Sequence, residues 1–150
     1  MKEVDYLIVS AGLYGSVFTH EMKNAGYSYL VIDKRPHLAG NIFTELIEGI
    51  HVHKYGTHIF HTDNKVVWDF VNQLTTFNRY TNSPVVNYHG KLNDERNSTH
   101  FAQYMEKAKV CFHVLFGGIL GKYRYIDMDD VIGSALQDAR LELNRRNLND

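Results

Sequence analysis

Apolar residues in the first third of the chain occur in two short runs separated by a helical pattern. Residues 4–9 (VDYLIV) form a β-prone run that ends at a turn of small residues, and residues 29–32 (YLVI) form a second run. The apolar positions between them share one face of a helix: Leu13, Val17, Met22 and Ala25. Gly26 follows as the residue that ends this helix. The order predicts a βαβ unit with two parallel, buried strands.

The pattern changes after the second strand. Residues 34–45 contain proline and glycine and predict a loop, and residues 44–60 alternate around Glu48-Gly49, which predicts a β-hairpin. Asp63 stands where it can cap the next helix. The apolar positions of that helix recur at helical spacing: Val67, Phe70, Val71 and Leu74. This stretch therefore predicts a loop, a hairpin and an amphipathic helix.

The second half of the chain is predicted to be less regular. Residues 84–90 predict another hairpin, and residues 93–100 (NDERNSTH) are polar and turn-forming, which predicts a linker. A short helix is expected over residues 101–108 and a strand over residues 110–116, which ends at two glycines. Asp127 opens the acidic first turn of a last helix. The apolar stripe of that helix is predicted to be Ile132, Ala135, Leu136, Ala139 and Leu143.

Composition narrows the class of protein. The chain has 150 residues, 44% of them hydrophobic and 22% charged, with a formal net charge of −1. That balance provides no basic surface for nucleic acid or an anionic membrane, and no apolar run approaches the length that crosses a bilayer. The N-terminus has no signal-peptide pattern, and Cys111 is the single cysteine. We therefore expect one domain in a reducing, cytoplasmic compartment.

The turn after the first strand carries candidate nucleotide-binding residues. Residues 10–15 read SAGLYG, a G-x-G-x-x-G fingerprint in which Ser10 replaces the first glycine. Gly12 would let a diphosphate approach the backbone, and Gly15 would let the helix pack closely on the strand. Asp33 ends the second strand, where its carboxylate can accept hydrogen bonds from ribose hydroxyls. These features predict an adenine-dinucleotide site, and the alternative is a glycine turn without a ligand. If Ser10 must adopt a positive φ, it costs on the order of 1–3 kcal/mol.

Four histidines lie close together within residues 51–62, namely His51, His53, His58 and His61. A zinc site needs three or four converging nitrogen, sulfur or oxygen ligands, and no cysteine or acidic residue stands at ligand spacing here. We therefore predict no metal site. For His51, His53 and His61 the favoured interpretation is a hydrogen-bonded residue of the core, and for His58 this is the alternative.

The segment after Asp33 distinguishes FAD from NAD. An NAD-type domain would continue with further βα units. Residues 35–44 (RPHLAGNIFT) instead resemble the R-x-x-x-G-G-[RN]-x-x-[ST] stretch of flavoproteins of the amine-oxidase and glutathione-reductase type, with Ala39 in place of one glycine. The resemblance implies FAD as the cofactor and an α/β fold, in which an incomplete FAD-binding Rossmann-like parallel sheet with helices is joined by small β-hairpins.

Longer stretches resemble UDP-galactopyranose mutase, the flavoenzyme family that interconverts UDP-galactopyranose and UDP-galactofuranose. The stretches are VSAGLYGSV, VIDKRPHLAGNIFTE, GIHVHKYGTHIFHT, WDFVNQLTTFNRYTNSPV and FGGILGKYRYIDM. They imply a single FAD-binding domain over residues 1–150. Its parts would be an N-terminal part at 1–92, a linker that replaces the family's substrate domain at 93–109, and a C-terminal strand and helix at 110–150. The family's reaction uses reduced FAD without net oxidation, as covalent catalysis carried by the cofactor.

The resemblance also implies roles for individual residues. His58 is expected to face the flavin, and Tyr125 to hydrogen-bond the substrate diphosphate. Asp127 and Met128 are expected at the ribityl chain and the pyrimidine edge, where the positive end of a helix favours a reduced flavin. The full set implied for the cofactor is Ser10, Gly12, Leu13, Gly15, Asp33, Lys34, Gly40, Asn41, Gly56, Thr57, His58, Ile59, Gly118, Asp127 and Met128.

Two departures from the family bear on activity. Ile119 stands where the family has an arginine that contacts the sugar diphosphate, and such a charged hydrogen bond is worth roughly 1.5–3 kcal/mol. The stretch between residues 92 and 110 is too short for the family's uridine site and second active-site arginine. We therefore expect a flavin-binding remnant without turnover, whose binding of the family substrate UDP-galactose is in doubt.

Two alternatives to this remnant are an active mutase and another FAD- or NAD-dependent oxidoreductase. Whether the chain is an enzyme is therefore left open by the sequence. Because the missing strands would leave sheet edges uncovered, we also expect the form without FAD to be loose or to self-associate as a homo-oligomer.

Overall fold

The computed structural model describes residues 3–78, 95–111, 113–122 and 126–148. The elements are, in chain order, β1 (Tyr6–Val9), α1 (Leu13–Asn24), β2 (Tyr29–Ile32), β3 (Thr44–Ile47), β4 (Ile50–His53), α2 (Lys65–Leu74), α3 (Glu95–Ala108), α4 (Gly118–Lys122) and α5 (Met128–Asn147), with a 3-10 turn at Gly40–Ile42. The hairpin predicted over residues 84–90 lies outside the described residues.

The first three elements form the predicted βαβ unit. Strands β1 and β2 are parallel, in a register that runs from Tyr6 opposite Tyr29 to Val9 opposite Ile32. Helix α1 connects them and ends where predicted, because Gly26 adopts φ +88°, a conformation that glycine reaches at no steric cost. The predicted fold class is confirmed as an incomplete Rossmann-like unit with small sheets.

The expectation that both strands are buried is wrong for one face of this sheet. Leu7 and Val9 of β1 are 59% and 71% exposed, and Leu30 and Ile32 of β2 are 50% and 45% exposed. Side chains alternate between the two faces of a strand, and Tyr6 and Ile8 point to the other face, where they pack against α1. Within the described residues, helices cover one face of the β1–β2 sheet, whereas a complete parallel sheet is covered on both.

The hydrophobic core lies mainly between the helices, and Tyr6 and Ile8 of β1 pack against part of it. Helix α5 packs along α1, and α2 packs against α5. One buried cluster joins the three helices and consists of Val17, Val67, Val71, Ile132 and Ala135. A second cluster joins α1 to α5 and consists of Phe18, Met22 and Ala139. The apolar stripe predicted for the last helix is therefore the surface that meets α1.

The hairpin of β3 and β4 is also as predicted. The strands are antiparallel, and Ile47 lies opposite Ile50 across a two-residue turn. Glu48 and Gly49 both have positive φ, +50° and +81°. Two central residues with positive φ define the turn that matches the right-handed twist of a hairpin.

The cap of α2 is Asn64 and not the predicted Asp63. The Asn64 side-chain oxygen accepts hydrogen bonds from the backbone N–H groups of Val66 and Val67, at 3.0 and 3.4 Å. Only the residue directly before the first helical residue can reach those N–H groups. Asp63 lies one position too early in the chain. The N-cap of α5, by contrast, is Asp127 as predicted, although its side chain makes no capping hydrogen bond.

Residues 93–100 were predicted to be a turn-forming linker, and the structure corrects this from Glu95 onward. Helix α3 runs over Glu95–Ala108 and includes the helix that was predicted to begin at residue 101. The segment contains neither glycine nor proline, so nothing in the backbone prevents a helix. Its polar residues are compatible with an exposed helix, and the described side chains over residues 102–107 are exposed.

The strand predicted over residues 110–116 is not present in its described part. The Val114 N–H donates to the carbonyl of Cys111 at 3.2 Å, which is a turn. Val110, Val114 and Leu115 are 71%, 53% and 54% exposed. A strand requires a hydrogen-bonded neighbour, and β1 and β2 pair only with each other within the described residues. The apolar run over residues 110–116 was therefore not sufficient to predict a strand.

Candidate dinucleotide-binding site

The turn after β1 holds the serine that replaces the first glycine of the fingerprint. Ser10 has φ +103°, so the position does require the conformation that glycine adopts most easily. The Ser10 N–H donates to the carbonyl of Ile32 at 2.7 Å, which extends the β1–β2 pairing into the turn. The Ser10 hydroxyl oxygen accepts the Gly12 N–H at 3.3 Å. The strained conformation is thus held by hydrogen bonds on both sides.

The two remaining glycines of the fingerprint have different surroundings. A Cβ on Gly15 would overlap the carbonyl oxygen of Ser10 and lie 3.2 Å from a methyl group of Ile8, so α1 can approach β1 only because residue 15 is glycine. A Cβ on Gly12 would meet only the Ser10 hydroxyl oxygen, at 3.4 Å. Gly12 therefore faces open space directly before the first turn of α1, whose N–H groups lack intrahelical acceptors.

The carboxylate of Asp33 lies beside this turn. Its two oxygens accept the backbone N–H of Ala11 at 2.7 Å and that of Arg35 at 2.8 Å. The hydrogen bonds from Arg35 and then Ala11 lower the pKa of Asp33 below its ordinary value, so the group is ionised at neutral pH. An ionised carboxylate has about four acceptor positions, so ribose hydroxyls can still bind to it. Asp33 therefore both fixes the turn and remains an acceptor.

The loop after β2 returns to the same turn. The Ala39 N–H donates to the carbonyl of Ala11 at 2.9 Å, and Ala39 adopts φ +71°. A Cβ on Gly40 would lie 3.0 Å from the Cα of Gly12. Asn41 accepts a hydrogen bond from the Arg35 guanidinium at 2.8 Å, and Lys34 is exposed. The structure therefore brings the predicted Gly12, Asp33 and Gly40 together.

An aromatic cluster that the sequence analysis did not identify supports this loop. The imidazole of His37 stacks on Phe43 with ring centroids 3.9 Å apart, and its Nε2 lies 2.8 Å from the hydroxyl of Tyr55. The Arg35 guanidinium lies 4.3 Å from the centre of the Tyr55 ring. The signal in the sequence was the arginine and histidine that flank Pro36, but their partners Phe43 and Tyr55 lie directly before the hairpin and shortly after it.

The candidate flavin-facing residues lie in the segment after β4. Gly56 has φ +108°, and Gly56, Thr57 and Ile59 are exposed. The ring of His58 lies 6.2 Å from that of His53, and its Nε2 is buried without a hydrogen-bond partner among the described residues. A buried polar atom without a partner is rare, and a bound cofactor could supply the missing partner. No group of three or more His, Cys, Asp or Glu converges in the described part of the chain.

The C-terminal part reaches the fingerprint through Tyr14. A Cβ on Gly117 would overlap the Tyr14 ring, and one on Gly118, which has φ +72°, would lie 3.2 Å from its Cβ. The Tyr14 hydroxyl donates to Asp138 of α5 at 2.7 Å. Burial and this hydrogen bond raise the pKa of Tyr14. Gly118 thus lies beside the helix that follows Gly12.

The remaining predicted residues of the C-terminal part are less well defined. Asp127 is exposed and Met128 is half-buried, and both stand at the start of α5. Tyr125 lies outside the described residues.

Comparison with known proteins agrees with this geometry. Residues 8–74 match the family described as NAD(P)-binding Rossmann-like domain. A dTDP-fucopyranose mutase of Escherichia coli is 41% identical over 88 residues, which are 57% of this chain and 23% of that protein. The chain resembles a fragment of a sugar-nucleotide mutase. A probable UDP-galactopyranose mutase of Klebsiella pneumoniae is 36% identical over 94 residues, 61% of this chain and 24% of its own length.

This mutase-like chain is much shorter than its relatives. A UDP-galactopyranose mutase of Mycoplasma pneumoniae is 41% identical over 81 residues, which are 53% of this chain and only 20% of that protein. The chain therefore spans about a quarter or less of the curated relatives that it matches. A solved double mutant of putrescine oxidase aligns with 69% of this chain and 26% of its own, at 21% identity and a TM-score of 0.42. None of the described helices is both long and apolar enough to cross a membrane.

Proposed function

We propose that this chain binds FAD, with the diphosphate at Gly12 and the N-terminus of α1. The observation that supports the proposal is the convergence of Gly12, Asp33 and Gly40 around a turn in which a Cβ on Gly12 would meet only the Ser10 hydroxyl oxygen, at 3.4 Å. The backbone N–H groups of the first turn of α1 would bind the diphosphate, and Asp33 would accept the ribose hydroxyls. The remaining cofactor residues implied by the mutase resemblance stay predictions.

FAD is preferred over NAD because of the segment after β2. The chain runs from the Gly40 loop directly into the β3–β4 hairpin, and Gly40 closes against Gly12 instead of leading to another βα unit. The curated relatives reported above are named as mutases of sugar nucleotides. When bound and reduced, FAD would supply the nucleophile of such a reaction, and this chain would supply position and charge.

We propose that the chain does not convert UDP-galactopyranose on its own. Residue 119 is isoleucine where the resemblance implies an arginine, and the chain matches about a quarter or less of the relatives' length. A sugar diphosphate without a cationic partner would lose a charged hydrogen bond worth roughly 1.5–3 kcal/mol. UDP-galactose is therefore the family's substrate rather than an established ligand of this chain.

The unpartnered Nε2 of His58 supports a position for this residue next to the cofactor. We expect His58→Ala to change the visible absorption spectrum of bound FAD, since the substitution would remove a polar group next to the flavin ring. His61→Ala is the matched control, because His61 is an exposed histidine of the same segment. Equal spectra for His58→Ala and the unmodified chain would contradict this role.

The cofactor is tested by purification and titration. We expect FAD to co-purify with the chain, or to bind more tightly than NAD in calorimetry. FAD should also raise the melting temperature, because a ligand that binds only the folded state adds about 2.7 kcal/mol to the free energy of unfolding at a hundred times its Kd. Gly12→Ala should fold, since its Cβ meets one oxygen at 3.4 Å, yet bind FAD at least about tenfold more weakly because the methyl group occupies the diphosphate position. Binding of NAD but not FAD, or unchanged melting with excess FAD, would refute the proposal.

We further propose a cytoplasmic location and self-association of the form without FAD. The exposed thiol of Cys111 supports a reducing compartment. The exposed apolar face of the β1–β2 sheet supports self-association.

A further inference from the structure

Tyr14, the fifth residue of the fingerprint turn, connects three segments that are distant in the sequence. It belongs to the first turn of α1, its ring fills the space that Gly117 and Gly118 leave by having no side chain, and its hydroxyl donates to Asp138 of α5 at 2.7 Å. Tyr14 also packs against the buried cluster that joins α1, α2 and α5. One side chain therefore links the predicted diphosphate turn to both C-terminal segments.

We propose that Tyr14 is a positioning residue that sets the flavin end of the site, so that affinity for the flavin half of FAD depends on the contacts of its ring and hydroxyl. The inference rests on the proposed FAD binding. Asp127 and Met128 are predicted at the ribityl chain and pyrimidine edge of the flavin, and Gly118 is predicted to bind the cofactor. These residues belong to the two segments that Tyr14 contacts from α1. The adenosine side uses the backbone at Gly12 and the carboxylate of Asp33, neither of which contacts the Tyr14 side chain in the described interactions.

The hydroxyl of Tyr14 is well suited to set a position rather than only to fill volume. A half-buried hydroxyl that loses its acceptor is costly, so Tyr14 and Asp138 hold a defined separation between α1 and α5. Helix α5 is continuous from Met128 to Asn147, and the start of α5 therefore moves with Asp138. The hydrogen bond to Asp138 therefore opposes movement of the ring away from Gly117.

Two ligands separate this role from a purely structural one. ADP reports the adenosine diphosphate side alone, and FAD reports both sides. We expect Tyr14→Phe, which keeps the ring, to weaken FAD binding about fivefold, the size of one hydrogen bond, while ADP binding changes less than about twofold. Asp138→Ala should match Tyr14→Phe. Asp138→Asn should retain FAD affinity, because the amide oxygen still accepts the hydroxyl.

Tyr6→Phe is the matched control for this experiment. The hydroxyl of Tyr6 also donates a hydrogen bond to a carboxylate of α5, that of Glu142, at 3.1 Å. Tyr6 belongs to β1, however, and it is not among the neighbours of Gly117 or Gly118. We expect its ratio of FAD to ADP affinity to equal that of the unmodified chain. A ratio that falls in Tyr6→Phe as much as in Tyr14→Phe would overturn the inference.

A second pair of variants tests the ring. Gly117→Ala should lower FAD affinity, since its methyl group overlaps the Tyr14 ring, and the same substitution in a Tyr14→Ala background should have no further effect. Additive losses would overturn the inference, as would equal losses of ADP and FAD affinity in Tyr14→Phe. If the unmodified chain binds ADP but not FAD, the proposed function itself fails and the inference with it. If it binds FAD and Tyr14→Phe is unchanged, only the inference fails.

Discussion

At the scale of single residues, three positions with side chains adopt positive φ in the described part of the chain: Ser10, Ala39 and Glu48. Ser10 and Ala39 stand where the two sequence patterns expect glycine, and Ala39 hydrogen-bonds to the residue after Ser10. The strain is therefore concentrated at the proposed cofactor site. The hydrogen bonds around Asp33 hold this geometry even though positions 10 and 39 are not glycine.

We predict that Ser10→Gly stabilises the protein by about 1 kcal/mol. Relief of the positive φ is worth on the order of 1–3 kcal/mol. The greater freedom of glycine in the unfolded chain removes about 0.5–1 kcal/mol of that gain, and loss of the long hydrogen bond from the Gly12 N–H to the Ser10 hydroxyl removes a further part. Urea denaturation measures the difference. The control is Ala25→Gly, at φ −81°, where glycine should destabilise because no strain is relieved. A loss of stability in both variants would show that Ser10 is not strained.

Single residues also show the limits of sequence analysis. Gly15 and Gly26 could be predicted because their requirement is local, a close helix–strand approach and a helix end. The cap of α2 was misassigned by one residue, since Asp63 and Asn64 are both good caps and the sequence does not say which carries the extended backbone. The role of Tyr14 could not be predicted from the sequence, because it depends on a hydrogen bond to Asp138, 124 positions away.

At the scale of elements, helix α5 owes its position to a charged residue as well as to its apolar stripe. Glu142 is 8% exposed and accepts hydrogen bonds from Tyr6 at 3.1 Å, from Arg145 at 2.9 Å and from Arg146 at 3.4 Å. Position 142 continues the stripe of Ala135 and Ala139, so its burial was foreseeable from helical spacing, but its partners were not. Together these contacts attach the end of α5 to β1.

We predict that Glu142→Gln lowers the free energy of unfolding at pH 7 by about 1–3 kcal/mol, because it removes charged hydrogen bonds. The Arg145 guanidinium is the main cause that lowers the pKa of Glu142 below 4.5. Since the folded pKa is the lower one, this stabilisation is present above about pH 4.5 and is lost as the pH falls through the folded value. The free energy of unfolding of Glu142→Gln should therefore fall less between pH 7 and pH 4 than that of the unmodified chain.

Asp69→Asn is the matched control for Glu142→Gln. Asp69 pairs with Lys65 on the surface of α2, with both side chains more than half exposed, and such a pair contributes at most about 1 kcal/mol. Chemical denaturation at pH 7 and pH 4 compares the variants. An effect of Glu142→Gln no larger than that of Asp69→Asn would mean that the buried network does not hold α5.

Elements were predicted correctly where the pattern and the neighbours agree. The unit of β1, α1 and β2 was foreseeable, since its strands pair with each other. Residues 110–116 are also rich in apolar residues, yet no described strand pairs with their described part, where Cys111 and Val114 form a turn instead. Strand formation depends on a partner elsewhere in the fold, and a helix such as α3 does not.

At the scale of the whole molecule, the parallel sheet has two strands within the described residues, and these residues leave one of its faces uncovered. Leu7 lies opposite Leu30, and Val9 lies opposite Ile32, so the four exposed side chains are neighbours on that face. Soluble monomers rarely expose large contiguous apolar patches, and unpaired strand edges promote association. The mutase relatives are roughly two and a half times as long as this chain, and the sequence analysis already expected uncovered sheet edges from the family segments that this chain lacks.

We predict that the form without FAD associates with itself through this face and that Val9→Lys weakens the association. Val9 is 71% exposed, so lysine can be accommodated without loss of packing, while a charge at the centre of an apolar contact must be desolvated. Sedimentation velocity over a concentration series should give a smaller average mass for Val9→Lys than for the unmodified chain. Leu46→Lys is the control, because Leu46 is 62% exposed on the separate β3–β4 hairpin. A monomer at every concentration, or an equal effect of both lysines, would contradict the prediction, since association would then not depend on the β1–β2 sheet.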